Sequence, residues 1–243
     1  MIHRKLDATD STNSFLRELM RNEQLQSWTV VSTEQQLAGR GQQGASWFSD
    51  SSKNLTFSIL IKEKQLKAKD QFLLNCAVSI GIYKALNRYA VPRLKVKWPN
   101  DIMSGTKKLA GILIENSVMN ENIAHTIVGI GLNVNQESFP KDLPAAVSLR
   151  QLLKTDTNRD ELLTEIVSSI KNEFQLVREG EGLILRSNYQ NLMYRINAPH
   201  MYRIGSEQQI IGKILGVSDG GLLILEKEDE SVSFYGFKEI EYL

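Results

Sequence analysis

Between Leu94 and Val134 the chain passes through three apolar, strand-like segments separated by turns too short to hold a crossover helix, so this stretch cannot build a parallel sheet. Residues 94–98 read as a strand ended by Pro99, which cannot donate to a sheet ladder. Ser104-Gly105-Thr106 turns into a strand at 109–115, and Met119-Asn120-Glu121-Asn122 turns into another at 124–134. The expected result is an antiparallel meander. Upstream, 28–33 alternates as a strand, and 55–61 sets Leu55, Phe57, Ile59 and Ile61 on one face with Thr56, Ser58 and Leu60 on the other.

Helical spacing takes over elsewhere. Over 70–89, Phe72, Leu73, Cys76, Ala77, Ile80, Tyr83 and Leu86 recur at helix period behind an Asp70 cap, and 160–178 and 183–194 carry similar patterns. Asp10-Ser11-Thr12-Asn13 is dense in N-cap residues and precedes Phe15, Leu16, Leu19 and Met20, which predicts a short amphipathic helix whose first turn offers hydroxyls and free N–H groups. A boundary follows near Asn197-Ala198-Pro199. Beyond it, short strands at 202–204, 209–217, 221–226 and 232–237, with Ser218-Asp219-Gly220-Gly221 as a hairpin turn, predict a small β-barrel. The expected fold is α+β. Residues 1–195 form a mixed, mainly antiparallel sheet with the site on one face and helices on the other, and 196–243 form the barrel.

Composition removes several function classes. Lys and Arg number 29 against 28 Asp and Glu, a formal net charge of +1, so no global field draws the molecule to nucleic acid or to an anionic membrane. The single cysteine, Cys76, precludes an internal disulfide, lies on the apolar face of its helix and fits a reducing compartment, with the cytoplasm as the expected location. The first residues lack the apolar run of a signal peptide, and no stretch approaches the ~18 apolar residues of a membrane span. His3, His125 and His200 lie far apart and no zinc spacing is present, so no structural metal is expected. No G-x-S-x-G elbow occurs, which argues against a serine nucleophile.

Gly39-Arg40-Gly41-Gln42-Gln43-Gly44 matches G-x-G-x-x-G, and 39–46 nearly matches a P-loop with Ala45 where lysine belongs. Both motifs need a helix directly behind the glycines so that its N-terminus faces phosphate. Here Trp47 to Lys53 leads into a strand instead, and Glu63, at the distance of a ribose-binding acid, loses its meaning. What survives is a glycine-rich loop whose N–H groups and the Arg40 guanidinium can surround an anion. Lys97-Trp98-Pro99-Asn100-Asp101 places a strand end, a rigid break and two polar residues together. Lys108, entering the next strand, can lie opposite them and neutralise a carboxylate and then a phosphate. Gly129-Ile130-Gly131-Leu132-Asn133 is an apolar strand whose glycines mark the close approach of a backbone or ligand.

Taken in order, Ser11-Thr12-Asn13, Glu34-Gln35-Gln36 before Gly39-Arg40-Gly41, Trp47, Lys97-Trp98-Pro99-Asn100-Asp101, Lys108-Leu109-Ala110-Gly111-Ile112-Leu113 and Gly129 to Asn133 resemble the biotin protein ligase family over essentially the whole chain. The resemblance implies a class II synthetase-like catalytic domain followed by an SH3-like barrel. It implies two steps: biotin and ATP give biotinyl-adenylate and pyrophosphate, then a lysine of biotin carboxyl carrier protein takes the biotin. By the same resemblance Ser11, Thr12 and Gln36 would hydrogen-bond the ureido ring of biotin, Trp47 and apolar strand residues would cover its hydrocarbon part, and Asn13, Gly39 and Gly111 would belong to the same biotin site. Arg40, Gly41, Gln42 and Lys108 would take the carboxylate and later the phosphate. Lys97, Asn100 and Asn133 would serve ATP, with Mg²⁺ near Asn133, and Asp101 would orient Lys108 or the incoming lysine.

Two departures from the best-known bacterial pattern stand out. Gln42, Gln43 and Ala45 replace a basic run, so the adenylate is expected to leave faster; no DNA-binding module precedes Ser11, so a monofunctional enzyme is expected. A homodimer paired edge to edge is a further family-based expectation. Rival readings are a lipoate–protein ligase, a metabolite-sensing binding module whose terminal barrel recruits a partner, and a nicotinamide oxidoreductase built on 39–44.

Overall fold

The computed structural model describes residues 2–62, 66–141, 143, 145–205 and 208–243; Glu63 falls outside them. Strand β1 (Ile2–Thr9) pairs in parallel with β2 (Thr29–Gln36), and helix α1 (Thr12–Asn22) makes the crossover between them. All other pairings in this sheet are antiparallel: β2 with β3 (Leu55–Ile61), β3 with β7 (Asn122–Leu132), and then β6 (Lys107–Met119), β5 (Asp101–Ser104) and β4 (Leu94–Lys97). The spatial order β1-β2-β3-β7-β6-β5-β4 contains the expected meander, extended by one strand. Sequence reading passed over β1 because its outer edge is unpaired and its residues are mostly exposed, so no apolar alternation marks it. It missed β5 because Asp101 looked like a loop residue, whereas Lys97 and Asp101 face each other across a tight β4–β5 hairpin.

All seven residues of β3 are buried because both faces of the sheet are covered there. Phe57, Ile59 and Ile61 join the main core with α2 (Phe72–Arg88), α4 (Arg159–Arg178) and α5 (Gly182–Asn191). On the opposite face Leu60 packs with Val31, Ile127 and Leu16 of α1. One face thus carries three helices and the other carries α1 beside the cavity described below. The helices α2 and α4 approach so closely that a Cβ at Gly81 would stand 2.6 Å from the Ile170 Cα, which explains a glycine in mid-helix. Asp70 does not cap α2. It ends a short 3₁₀ turn (Ala68–Asp70), and Gln71, already in a helical conformation, precedes the first residue. A one-turn helix α3 (Leu149–Leu153), held by a Ser148–Gln151 capping box, links the sheet to α4.

Five further strands, β8 (Pro199–Ile204), β9 (Gln208–Val217), β10 (Leu223–Lys227), β11 (Val232–Tyr235) and β12 (Ile240–Tyr242), form a second antiparallel sheet in the order β11-β10-β9-β8-β12. The terminal β12, too short to be read from sequence, returns to pair with β8 through Tyr242 and Tyr202. The two sheets share one core: Tyr202, Ile214, Leu223 and Leu225 are continuous with Trp98 and Tyr189, and the Trp98 indole N–H donates to the Gly221 carbonyl at 2.9 Å. Cys76 is fully buried, and burial pushes its thiol up to about 12, so it is a core residue without nucleophilic chemistry. No helix among the described residues is long and apolar enough to cross a membrane.

Candidate active site

A cavity of about 520 Å³ opens on the α1 face of the large sheet, and both sequence segments that carry cations reach it. Its walls come from the start of α1, the loop after β2, the β4–β5 hairpin, β6, β7 and β12. The floor is polar where α1 meets β2 and β3. Ser11, Thr12 and Asn13 are 5%, 3% and 2% exposed. Ser11 is the N-cap and spends no side-chain bond on the cap, and the Thr12 backbone N–H donates to Gln36 Oε1 at 3.0 Å. Ser58 of β3, which sequence reading did not single out, stands 2.7 Å from Thr12 Oγ1 and 2.5 Å from Asn13 Oδ1. Asn13 Nδ2 in turn donates to Glu115 Oε2 at 2.6 Å.

The glycine-rich loop folds on itself. The Trp47 N–H donates to the Gly39 carbonyl at 2.9 Å and the Gly41 N–H to the Ala45 carbonyl at 2.6 Å, around a 3₁₀ turn (Gln42–Gly44). A Cβ at Gly39 would sit 2.4 Å from the Trp47 carbonyl oxygen, so the loop closes only over glycine there. Gly39 supports the loop and does not line the cavity, and the Gly41 N–H expected to receive an anion is already committed. Arg40 lines the cavity, and its guanidinium donates to Ser14 Oγ at 2.8 Å and lies 3.9 Å from Glu115 Oε1.

Lys108 reaches the same cavity from the other side. Gly111, not Lys108, sits directly across the ladder from Asp101. A Cβ at Gly111 would stand 3.2 Å from Lys108 Nζ, so the missing side chain leaves the path along which the ammonium reaches Asp101 Oδ1 at 2.6 Å. Trp47 covers this region: its ring centroid is 5.8 Å from Lys108 Nζ, and it rests on Gly131, where a Cβ would be 2.3 Å from the indole Cε2. The glycines of β7 therefore admit side chains, Asn13 at Gly129 and Trp47 at Gly131, where sequence predicted a backbone or ligand. Lys97 lies opposite Asp101 and holds its ammonium 4.6 Å from the Tyr242 ring centroid. Burial pulls its pKa below the ordinary lysine value, against the opposing effect of Asp101.

Two expected contacts are placed otherwise. Asn100 lines the cavity, but its Nδ2 donates to the Ile112 carbonyl at 2.6 Å and its own carbonyl accepts from the Ile112 N–H, so it staples the hairpin to β6. Asn133 does not line the cavity. It is 3% exposed just beyond β7, and its Nδ2 donates to the Val147 carbonyl at 3.1 Å, because the strand end is covered by the 145–148 segment. Ile240, Glu241 and Tyr242 of β12, with Phe237 from the turn before it, complete one wall, a contribution that local sequence could not reveal.

A family model for the biotin/lipoate A/B protein ligase family matches residues 6–133. The biotin–[acetyl-CoA-carboxylase] ligase of Paracoccus denitrificans is 33% identical over 227 residues, covering 90% of this chain and 92% of that protein. The bifunctional ligase/repressor BirA of Escherichia coli is 30% identical over 226 residues, covering 92% of this chain and 68% of that protein. Among solved structures, a variant of the biotin protein ligase from Aquifex aeolicus in complex with biotin superposes with a TM-score of 0.80 at 26% identity, covering 100% and 98% of the two chains. The same organism's enzyme in complex with biotin and ATP superposes with a TM-score of 0.81 at 24% identity, over 100% and 99%, a likeness of fold alone. The chain belongs to the biotin/lipoate A/B protein ligase family.

Proposed function

We propose that this protein is a biotin–protein ligase that forms biotinyl-5′-AMP from biotin and ATP and transfers the biotin to a lysine of biotin carboxyl carrier protein. The observation that carries the reading is the entry of Arg40 and Lys108, from separate stretches of chain, into one cavity floored by Ser11, Thr12, Asn13 and Gln36. In the first step a biotin carboxylate oxygen attacks the α-phosphorus, the bond to the β-phosphate oxygen breaks and pyrophosphate leaves. Two anions must meet, and the paired cations offset their repulsion and the charge developing on phosphorus. Asp101 holds the Lys108 ammonium over Gly111, and Lys97 adds a half-buried charge beside it. In the second step the neutral amine of the acceptor lysine attacks the carbonyl carbon, AMP leaves with the bonding electrons, and the surplus proton passes to solvent. The anhydride is already activated, so position and water exclusion under Trp47 matter more than a strong base.

In this reading residues 1–195 are the catalytic unit and 196–243 form the SH3-like unit that supplies a wall through β12. Mg²⁺ would arrive with the triphosphate, since this hard ion favours phosphate oxygens and water. The chain's own donors do not fit it as a cage. Asp101 and Glu241 at the cavity are paired with Lys108 and Arg203, Asn133 faces Val147, and no cluster of metal-binding side chains occurs among the described residues.

The test is incubation with biotin, Mg²⁺ and ATP labelled at the α-phosphate, followed by a carboxyl carrier domain. A biotin-dependent labelled adenylate that the carrier discharges to AMP is the expected result. Failure to form it, or equal formation with lipoate, would refute the proposal.

A further inference from the structure

Part of the cavity floor is a hydrogen-bonded chain, Glu115–Asn13–Ser58–Thr12, with Gln36 Oε1 3.5 Å beyond Thr12 Oγ1, and its Glu115 end fixes the direction in which the protons between Glu115 and Thr12 point. Glu115, held by Arg17 at 2.7 Å, is a carboxylate and can only accept. Asn13 must therefore turn its NH₂ to Glu115 and its Oδ1 to Ser58. The carboxamide lies close against Gly129, where a Cβ would stand 2.5 Å from Oδ1. An amide oxygen cannot donate, so the one Ser58 hydroxyl proton goes to Asn13. The 2.7 Å contact between Ser58 and Thr12 is then made by the Thr12 proton. With its proton spent inward, Thr12 Oγ1 presents only lone pairs to the cavity.

We infer that Glu115 is a positioning residue that sets the donor–acceptor sense of the ligand pocket without touching the ligand, making Thr12 an obligate acceptor for a ligand N–H. This rests on the proposal that the pocket takes the ureido end of biotin. The Glu115→Gln substitution removes the constraint. The new amide can donate, so Asn13 can flip and give its NH₂ to Ser58, Ser58 can donate to Thr12, and the Thr12 proton is then free for the cavity, where Gln36 Oε1 at 3.5 Å is a long-range competitor and a ligand acceptor can take it. The whole relay reverses with no change of shape.

The experiment measures the affinity of wild type, Glu115→Gln and Ser58→Ala for biotin and for an analogue whose ureido ring carries oxygen in place of an N–H, tested at each ring position. Wild type should reject one analogue by roughly a hundredfold or more, since a buried acceptor is left unpaired. In Glu115→Gln that ratio should fall to within about tenfold, the scale of a single neutral hydrogen bond. Loss of the charge that Arg17 and Arg40 share would weaken both ligands alike and cancels in the ratio, and Glu115→Asp, which remains acceptor-only, should restore it. Ser58→Ala frees the Thr12 proton by a different cut and must give the same collapse, so the test survives if Glu115→Gln does not fold. Discrimination that stays at the wild-type value in either folded variant overturns the inference alone. Failure of wild type to bind biotin at all would overturn the function proposed above and this inference with it.

Discussion

Gly131→Ala is the substitution whose effect follows most directly from the packing of this site. A Cβ there would lie 2.3, 2.6 and 2.7 Å from three atoms of the Trp47 indole, against about 3.5–4.0 Å for ordinary contact, so the ring must withdraw by more than about 1 Å. Trp47 is only half-buried on a loop, so it can yield where a core residue could not. Alanine also gains roughly 0.5–1 kcal/mol over glycine inside an element, so the variant should be as stable as wild type or slightly more so. What it loses is the cover over the ligand. Full burial of a large apolar side chain contributes about 1.5–3 kcal/mol. Losing half of that for Trp47 corresponds to roughly a three- to tenfold fall in biotin affinity. Calorimetric titration reads the affinity, and acrylamide quenching reads the ring, because Trp28 and Trp98 are 7% and 4% exposed and respond little. The decisive arm is a double-mutant cycle. Trp47→Ala should lose a similar amount, and adding Gly131→Ala to it should cost nothing more. Wild-type affinity in Gly131→Ala, or effects of the two changes that simply add, would refute the reasoning.

Three further outcomes are expected. Lys108→Ala leaves Asp101 without its partner and removes a cation from the reacting phosphate, so biotin-dependent pyrophosphate release should drop by about 10²–10³-fold or more; a near-normal rate would remove Lys108 from the chemistry. Gln42 lines the cavity, and Gln42→Arg should slow release of the adenylate, measured by chasing preformed intermediate with unlabelled ligand; an unchanged off-rate would show that the missing basic run has no such consequence. Burial alone would raise the pKa of Glu34, but hydrogen bonds from Lys5, Arg159 and Ser52 outweigh it and bring the carboxyl from 4.5 to about 2. Its contribution is therefore complete above pH 4.5 and lost as pH falls towards 2. Glu34→Gln should cost about 1–2 kcal/mol in urea unfolding at pH 7, after allowance for solvent screening, and progressively less below pH 4.5; a constant difference between pH 7 and pH 2 would contradict this.

The short turns between 94 and 134 and the alternation of 55–61 already dictated an antiparallel sheet, and the helix-period runs dictated α2, α4 and α5. Those signals are local, since strand and helix periods are written in adjacent residues. The order Ser11-Thr12, Gly39-Arg40-Gly41, Lys97 to Asp101 and Lys108 likewise marked the chemistry, because a site that neutralises two anions needs fixed cations beside close-packed backbone. Glycine spacing could not tell that Gly131 makes room for Trp47 or that Gly111 clears the path from Lys108 to Asp101. Nor could it tell that Asn133 turns inward to Val147. Each depends on which strand lies alongside, a relation between residues far apart in sequence.

The amino-acid order by itself therefore determined most of the elements, though not β1, β5 or β12, together with the handful of charged and polar side chains available for adenylation and the absence of a helix behind the glycine-rich loop. Tertiary structure alone decided that Arg40 and Lys108 share a cavity, that β12 walls it with Tyr242, and that Glu115 at the far end of β6 is hydrogen-bonded to Asn13 on α1. The physical reason is range. Propensity and patterning act within a few residues, whereas charge pairing and hydrogen-bond direction act over a few ångströms of space, and only the folded sheet converts one kind of distance into the other.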